Sequence, residues 1–373
     1  MLNITITAKI RLLPTEDHVS LLQKTIKAYR NGCNFVSNIV FESKLLKQAS
    51  LHKKTYSELR TTFALRSQMA QSVMKSVIAR YKIHMNNGRD WEKLHFKKPE
   101  YDLIWNRDYS LTENWFSLNT LKGRIKVPYI SKGMERYFKE IWSFGTAKLI
   151  FKHSKCFLHI PVTMMFDQAS FGDIRQVVGI DLGKNFLATT YDSHGKTAFI
   201  KGKKIKNKRE RYRRIRKQLQ QKNTPSAKKR LKEISNRENR WITNMNHCVS
   251  KALITKYGEN TLFVVEDLCD FSHKDNGERI LHHTNCLSWP FYQLRQMLEY
   301  KANMNQSKVI AVEPKYTSLT CPKCGHTEKA NRNKKLHLFD CETCHYKSND
   351  DRIAAINLQL CGIEYIVAVT EIA

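Results

Sequence analysis

The chain has 373 residues, and its 64 Lys and Arg residues outnumber its 34 Asp and Glu residues to give a formal net charge of +30. This length exceeds one ordinary domain, so we expect two to four units with at least two hydrophobic cores. A compact chain with this charge would repel itself unless a polyanion supplied countercharge, which indicates nucleic acid as the partner. No segment approaches the roughly 18 consecutive apolar residues of a membrane span, so the composition disfavours a membrane protein.

The N-terminal residues predict one strand followed by helices. Residues 1–14 alternate apolar and polar side chains like a strand and lack a signal-peptide pattern, so we expect a cytoplasmic location. Thr15 with two acids after it indicates a helix start. Helical apolar spacing follows, with a second helical pattern over about residues 56–81. Residues 14–86 are therefore predicted to form a helical module, for which a plain scaffold bundle is the alternative to a recognition role.

Short alternating runs separated by turn residues such as Gly123 and Gly133 replace this pattern between about residues 87 and 173. They predict a small β-barrel or sandwich. We hypothesise that the first strand joins it, which would make the helical module an insertion. The runs cover residues 110–121, 125–130, 146–151 and 156–162.

Strong strands alternate with helices from Val177 onward, which is typical of an α/β core. No internal repeat is present. The predicted strands cover residues 177–181, 187–191, 261–266 and 308–312, and the predicted helices cover 205–256 and 291–303.

Three carboxylates stand at the ends of elements in this region. Asp181 and Glu266 each end an apolar strand, and Asp351 lies at the start of an apolar helix. A strand buried on both faces tolerates a carboxylate only when the charge is coordinated or hydrogen-bonded. Taken singly, these acids can also be a turn residue, a surface charge and a helix N-cap. Together they match two-metal phosphodiester hydrolysis, in which two Mg²⁺ ions about 4 Å apart activate water and stabilise the leaving oxygen.

The cysteines predict a metal site. Four of the ten form two C-x-x-C pairs separated by 16 residues: Cys321, Cys324, Cys341 and Cys344. This spacing is that of a structural zinc site, and four thiolates leave no open coordination position. We therefore predict one structural Zn²⁺ in a ribbon too short to bury its own core. His326 and His345 are alternative ligands, and the six scattered cysteines argue against a disulfide framework.

Residues 201–240 hold 18 Lys or Arg against three Glu. This density predicts salt-sensitive contact with nucleic-acid phosphates, because a merely solvated helix face would carry more balanced charges. The residues expected at this surface are Lys203, Lys204, Lys206, Lys208, Arg209, Arg211, Arg213, Arg214, Arg216 and Lys217.

The order of these features resembles TnpB, the protein of bacterial insertion sequences related to the type V CRISPR nucleases. The resemblance is firm from about Val177 to Leu358 and weaker before it. Two residues depart from the family pattern, because Ile353 stands where Asn is usual and Leu319 where Gln is common. Besides the acids, the basic helices and the cysteine pairs, the resemblance rests on the segments 179–183, 265–268, 289–291, 300–302, 312–318 and 354–357.

The resemblance implies an α/β RNase H-like (RuvC) nuclease core with an inserted four-cysteine zinc ribbon, preceded by a β-barrel (wedge) domain with a helical recognition insert. It also implies that Asp181, Glu266 and Asp351 bind two Mg²⁺ ions and are catalytic. The expected domains are the wedge in residues 1–13 and 87–173, the recognition domain in 14–86, the nuclease in 174–317 and 348–373, and the zinc ribbon, which binds target nucleic acid, in 318–347.

The function implied by the resemblance is RNA-guided cleavage of double-stranded DNA beside a short adjacent motif, with base pairing to a guide RNA reading the rest of the target. A catalytically silent RNA-guided repressor is one alternative, although such family members typically lack the three acids. An RNA-independent transposase or resolvase is another, and a zinc-ribbon transcription factor would leave the acids unused. The sequence gives no indication of oligomeric state.

Overall fold

A computed structural model describes residues 1–98, 100–138, 141–152, 155–183, 185–267, 290–313 and 315–372. The chain divides into two compact units, an N-terminal unit of residues 3–165 and a C-terminal unit of residues 1–2 and 166–373. Each unit has its own sheet and buried residues. The expectation of at least two hydrophobic cores is therefore met.

The N-terminal unit is built on a sheet that forms a near-closed barrel. In the described part of the unit its strands are β1 (Leu2–Leu12), β2 (Glu100–Leu103), β3 (Tyr109–Leu111), β4 (Trp115–Thr120), β5 (Gly123–Ile130), β6 (Ser143–Phe144), β7 (Ala147–Lys152) and β8 (Lys155–Phe166). Their order is β2-β7-β8-β1-β5-β4-β3, with β6 paired to β8. The predicted run over residues 110–121 is divided between β3 and β4, which a turn connects.

Three helices lie in the chain between β1 and β2: α1 (Glu16–Ser43), α2 (Gln48–Thr61) and α3 (Ser67–Asn86). The predicted start of α1 is confirmed, because the Thr15 side chain accepts a hydrogen bond from the His18 amide. The predicted continuous helix over residues 56–81 is wrong. The helix is interrupted between α2 and α3, because Ala64 has a φ of 51°. This left-handed conformation cannot continue a right-handed helix.

The C-terminal unit has a mixed sheet with the strand order β11-β10-β9-β12-β13. Strands β9, β12 and β13 are parallel, whereas β10 and β11 are antiparallel to their neighbours. This strand and helix alternation confirms the predicted α/β core. The strands are β9 (Gln176–Asp181), β10 (Phe186–Tyr191), β11 (Thr197–Lys201), β12 (Thr261–Glu266) and β13 (Lys308–Val312), and the helices are α4 (Lys203–Lys222), α5 (Pro225–Tyr257), α6 (Phe291–Asn303) and α7 (Asp350–Ile372).

Alternate residues of β9 face different helical layers. Val178 lies in one hydrophobic cluster with Leu253 of α5 and Leu294 of α6. Val177 lies in another cluster with Leu358 of α7. Because successive strand residues point to opposite faces, β9 is covered on both sides, which explains its uninterrupted apolar sequence.

A small ribbon precedes α7 in the chain. It contains β14 (Arg332–Asn333), β15 (Leu338–Asp340) and β16 (Lys347–Asn349), paired in that order as antiparallel strands. Two 3₁₀ turns, Glu135–Phe138 in the N-terminal unit and Lys329–Asn331 beside the ribbon, complete the described elements.

The apolar helix α7 packs directly on the sheet. Over Asp350–Glu371 its length and mean hydropathy would allow it to cross a membrane, although polar residues such as Asn357 and Gln359 interrupt it and no run of 18 consecutive apolar residues is present. Its first ten residues are buried except for Arg352, and a core helix passes the same test of length and composition. A methyl group added to Gly179 of β9 would lie 2.5 Å from the Gln359 amide nitrogen and would collide with the Ala355 carbonyl. The missing side chain therefore permits the close approach.

We predict that Gly179→Ala destabilises the protein by about 3 kcal/mol, because only a shift of α7 away from β9 can relieve a clash with backbone atoms. Urea unfolding measures the effect. Gly172→Ala is the matched control, since an added methyl there would lie 3.6 Å from the Ser170 hydroxyl, an ordinary contact. Equal unfolding midpoints for the two variants would contradict the close packing of α7 on β9.

Candidate functional site

Two parallel strands bring Asp181 and Glu266 to one edge of the C-terminal sheet. Asp181 is the last residue of β9 and Glu266 is the last residue of β12. The strands pair with Val265 opposite Ile180, so the two acids occupy the next position in the register. Both acids are partly buried.

Asp351 reaches the same neighbourhood from α7. It is the second residue of this helix and is only 9% exposed. Burial raises the pKa of Asp181 well above its ordinary value, and the charges of Glu266 and Asp351 raise that pKa further. Like charges have this effect at short range, so the three predicted acids share one electrostatic environment. Their catalytic assignment stays a prediction.

Thr317 orients Glu266. Its Oγ1 donates a hydrogen bond of 2.5 Å to Glu266 Oε1. Burial raises the pKa of Glu266, and the bond from Thr317 opposes this by stabilising the carboxylate. Asn357 of α7 holds the loop, because its Nδ2 donates to the carbonyls of Thr317 (2.6 Å) and Thr320 (2.8 Å). Helix α7 therefore supplies Asp351 and also supports the residue that orients Glu266.

A fourth carboxylate, Asp350, is fully buried beside Asp351. Arg332 approaches Asp350 Oδ2 through Nε (2.9 Å) and Nη2 (2.8 Å). His337 Nδ1 lies 3.3 Å from Asp350 Oδ1. An acidic residue at the N-terminus of an apolar helix is expected to need a basic or hydrogen-bonding partner. No sequence pattern identifies Arg332 and His337 as those partners.

One ligand atom each of His337, Asp350 and Asp351 lies within 4.8 Å of the others, whereas, among the described residues, Asp181 and Glu266 do not complete such a group with Asp351. Arg332 and His337 already engage the Asp350 carboxylate, so Asp351 is the member of this group that is open to a cation. Burial and the charge of Asp350 raise the pKa of Asp351, while His337 and Arg332 oppose that change. Clustered carboxylates whose charged forms are disfavoured by burial and repulsion gain most from a bound cation, and Mg²⁺ prefers oxygen ligands.

The four predicted cysteines form a separate cluster. Cys321 Sγ lies 3.6 Å from Cys344 Sγ, and Cys324 Sγ lies 3.5 Å from Cys341 Sγ. All four sulfurs lie within 4.8 Å of one another, and neither predicted alternative ligand, His326 or His345, belongs to the cluster. Sulfurs around a tetrahedral Zn²⁺ with Zn–S bonds of about 2.3 Å would be about 3.8 Å apart, so the cluster has the size of such a site.

One of these thiols favours its anionic form. Burial raises the pKa of Cys341, but backbone N–H groups of Cys344 and Thr343 and the neighbouring thiols outweigh burial and lower the pKa to about 6. The backbone N–H of His326 lowers the pKa of the partner Cys324, but burial and the neighbouring thiols outweigh it and raise that pKa to about 12. The pair as a whole therefore favours one shared negative charge, and the thiolate is the form that binds metal.

The cysteine ribbon and α7 share a hydrophobic cluster. Cys321, Phe339 and Cys341 of the ribbon pack with Ile353 and Ile356 of α7. Position 353 is one of the departures from the TnpB pattern, and its fully buried isoleucine contributes apolar contact with the ribbon.

The ten basic residues predicted to contact nucleic acid lie on α4. Eight of them are exposed, whereas Arg209 and Arg216 are partly buried. Both of these form ion pairs with Glu238 of α5, which is 2% exposed. Arg209 and Arg216 therefore hold α4 against α5, while the eight exposed side chains form a basic surface.

Some predicted positions lie outside the described residues. They are Leu268, Trp289 and Pro314 of the TnpB-like segments and Cys269 and Cys286 of the scattered cysteines. The motif residues that flank them, at the end of β12 and the start of α6, are described.

Comparison with known families supports the TnpB resemblance in two segments. A family model described as "Probable transposase" matches residues 159–269. A second, described as "Cas12f1-like, TNB domain", matches residues 291–358. The second segment contains the cysteine cluster and Asp351, and the first contains Asp181 and Glu266.

Curated proteins give the same result. A CRISPR-associated endodeoxyribonuclease Cas12f1 from Sulfoacidibacillus thermotolerans is 29% identical over 66% of this chain and 62% of its own length, so less than two thirds of that relative is covered. A TnpB-like protein from Methanocaldococcus jannaschii is 29% identical over 63% of this chain and 85% of its own.

A solved structure extends the likeness to the fold. The Cas12f1 chain in a complex with sgRNA and target DNA has a TM-score of 0.58 and 14% identity, with 93% of this chain and 83% of that chain covered. These comparisons together confirm the resemblance to TnpB and show a fold similar to that of Cas12-type nucleases.

We predict that Asp181→Asn raises the free energy of unfolding of the metal-free protein at about pH 7. The folded protein retains the Asp181 proton to a higher pH than the unfolded chain does. Wild-type stability therefore falls as pH rises from about 4 through the raised pKa, and the variant lacks this loss.

Urea unfolding with a chelator present, at several pH values, measures the difference between the two proteins. It should vanish below about pH 3, where Asp181 is protonated in both the folded and the unfolded wild type. A difference that grows towards acid pH would contradict the assigned pKa direction.

Proposed function

We propose that the protein is a transposon-encoded, RNA-guided DNA endonuclease that binds a guide RNA and cleaves target DNA beside a short adjacent motif. The convergence of Asp181, Glu266 and Asp351 at one sheet edge carries the proposal. The similar Cas12f1 is an endodeoxyribonuclease by name, and its solved structural counterpart contains guide RNA and target DNA. Two-metal phosphodiester hydrolysis is the reaction that such a carboxylate site suits.

Asp181, Glu266 and Asp351 are the residues proposed to hold two Mg²⁺ ions. Ions held there would supply Lewis-acid chemistry, activating water and stabilising the leaving oxygen. The chain would contribute pre-organisation, since the charges of Glu266 and Asp351 lie close enough to Asp181 to raise its pKa before any cation binds. Thr317 keeps Glu266 in one orientation. A preformed cluster of this kind limits the rearrangement needed when cation and substrate arrive.

We further propose an RNase H-like (RuvC) core in the C-terminal unit and a wedge barrel with a helical recognition insert in the N-terminal unit. The mixed five-stranded sheet supports the former, and the position of α1–α3 between two strands of one sheet supports the latter. The proposed domains are the wedge in residues 1–13 and 87–173, recognition in 14–86, nuclease in 174–317 and 348–373, and the target-binding ribbon in 318–347.

The proposed partners are a guide RNA and double-stranded target DNA. The eight predicted basic side chains of α4 that are exposed would contact phosphates in a sequence-independent way. Base pairing with the guide would supply sequence specificity, as in related guided nucleases. We propose that this takes place in the cytoplasm of the cell, where the DNA target lies.

The main alternative functions require different features of the chain. An RNA-guided repressor needs the basic surface and the ribbon but not the three clustered acids, so the cluster favours the nuclease. A transposase or resolvase on the same core would use the acids without RNA. Dependence on RNA therefore separates it from the proposed function.

We predict that Asp181→Ala lowers target cleavage by about 10²–10³-fold or more, because removing one electrostatic partner of a transition state has an effect of this size. Binding of nucleic acid should persist in the variant.

RNA that copurifies with the wild type would be sequenced, and a structured RNA ending in a variable stretch is expected. The protein reassembled with that RNA would then be assayed for binding and for cleavage of a matching duplex.

Asp173→Ala, which removes an exposed acid of the same unit, is the matched control for cleavage. Undiminished cleavage by Asp181→Ala would contradict the assigned site. Wild-type protein that cleaves equally well after all RNA has been removed would identify the RNA-independent alternative.

We propose that the four-cysteine cluster holds one structural Zn²⁺, and we predict that Cys341→Ser removes it, because three thiolates bind zinc more weakly than four and the ribbon has little core of its own. Elemental analysis of the purified protein measures zinc per chain. Cys248→Ser, at an exposed cysteine outside the cluster, should keep the metal. Retention of full zinc content by Cys341→Ser would contradict the site.

A further inference from the structure

We infer that Asp350 is a positioning residue: its buried carboxylate, held by Arg332 and His337 of the cysteine ribbon, sets the position of Asp351 and thereby the affinity of the carboxylate site for divalent cations. The inference deepens the proposed function and rests on it. We name Arg332, His337 and Asp350 together the carboxylate clamp.

Both oxygens of Asp350 are occupied. Oδ2 faces the side of the Arg332 guanidinium, with Nε at 2.9 Å and Nη2 at 2.8 Å. Oδ1 accepts a hydrogen bond of 3.0 Å from the Asp351 amide and lies 3.3 Å from His337 Nδ1. The Asp350 carboxylate therefore contacts the backbone of Asp351 directly, and any movement of Asp350 moves the next residue of the same helical turn.

Arg332 is itself held in place. Its Nη1 donates a hydrogen bond of 2.7 Å to Ser318 Oγ, one residue after the Thr317 that orients Glu266. The planar guanidinium thus joins the start of α7 to the loop beside Glu266. Lysine could supply the charge but not this fork of donors.

His337 extends the clamp to the strand that carries Asp181. Its Nε2 lies 2.5 Å from Nδ2 of Asn185, which stands in the connection between β9 and β10. A neutral ring with its proton on Nδ1 satisfies both contacts, donating to Asp350 and accepting from Asn185. The clamp therefore contacts Asp351 itself, the connection that follows Asp181, and the loop whose Thr317 orients Glu266.

The burial of Asp350 makes its partners necessary. A fully buried carboxylate without compensation is strongly unfavourable, so the loss of Arg332 would drive Asp350 out of its buried position towards solvent. Arg332 and His337 both belong to the ribbon that the four cysteines anchor. The ribbon thus contributes to the geometry of the carboxylate site as well as to any contact with nucleic acid.

The test compares Arg332→Met, Asp350→Asn and the double variant in the zinc-loaded full chain. Binding of Mn²⁺, a paramagnetic substitute for Mg²⁺, is measured by electron paramagnetic resonance, with Asp181→Ala defining binding outside the carboxylate site. We expect each single variant to weaken Mn²⁺ binding about 10- to 100-fold, as losses of ligand-orienting partners do. The Mg²⁺ concentration for half-maximal cleavage should rise in parallel, and excess Mg²⁺ should restore kcat.

The double variant separates positioning from stability. Removing both charges leaves no unpaired buried ion, so thermal stability and zinc content should recover while Mn²⁺ affinity stays low. Arg332→Lys should recover only part of the affinity. Lys347→Met is the matched control, because it breaks an exposed ion pair with Asp340 (2.8 Å) in the same ribbon and should leave Mn²⁺ affinity unchanged.

Wild-type Mn²⁺ affinity in the double variant would overturn the inference, since the clamp would then serve stability alone. Unchanged affinity in Asp350→Asn would overturn it as well. A wild-type protein that binds Mn²⁺ in a clamp-dependent way but cleaves no DNA with its copurified RNA would overturn the proposed function and support the clamp.

Discussion

The C-terminal unit is arranged around the repulsion between buried carboxylates. Asp181 and Glu266 arrive on neighbouring parallel strands, and Asp350 and Asp351 arrive together on α7. Such a concentration of negative charge away from water is unfavourable unless hydrogen bonds, basic groups or cations compensate it. The fold provides the first two through Thr317 and the carboxylate clamp, and the remaining imbalance is what a divalent cation would relieve.

The close approach of α7 to the sheet makes this concentration possible. Gly179 lies two residues before Asp181 and lets the helix backbone contact β9, so the first turn of α7 lies beside the strand ends. The same helix buries Ile353 and Ile356 against the ribbon. One helix therefore joins the sheet, the cysteine cluster and the acids, which explains why it is more apolar than an ordinary surface helix and reaches membrane-like hydropathy.

The basic residues serve two purposes that composition alone does not separate. On α4, Arg209 and Arg216 neutralise the buried Glu238, and the other nine basic residues face solvent. In the ribbon, Arg332 neutralises Asp350. Part of the net charge of +30 is thus available to a polyanion, while individual arginines stabilise buried acids within the fold.

Local patterns by themselves determined the α/β core, the cysteine cluster, the start of α1 and the strand-end acids, because apolar periodicity, metal-ligand spacing and helix caps act over a few residues. They failed where a local conformational effect decided the outcome, as at the helix break around Ala64. Only the tertiary structure placed Arg332 and His337 against Asp350. The reason is physical: a buried charge requires a partner, but the fold alone decides which distant residue comes within hydrogen-bond reach.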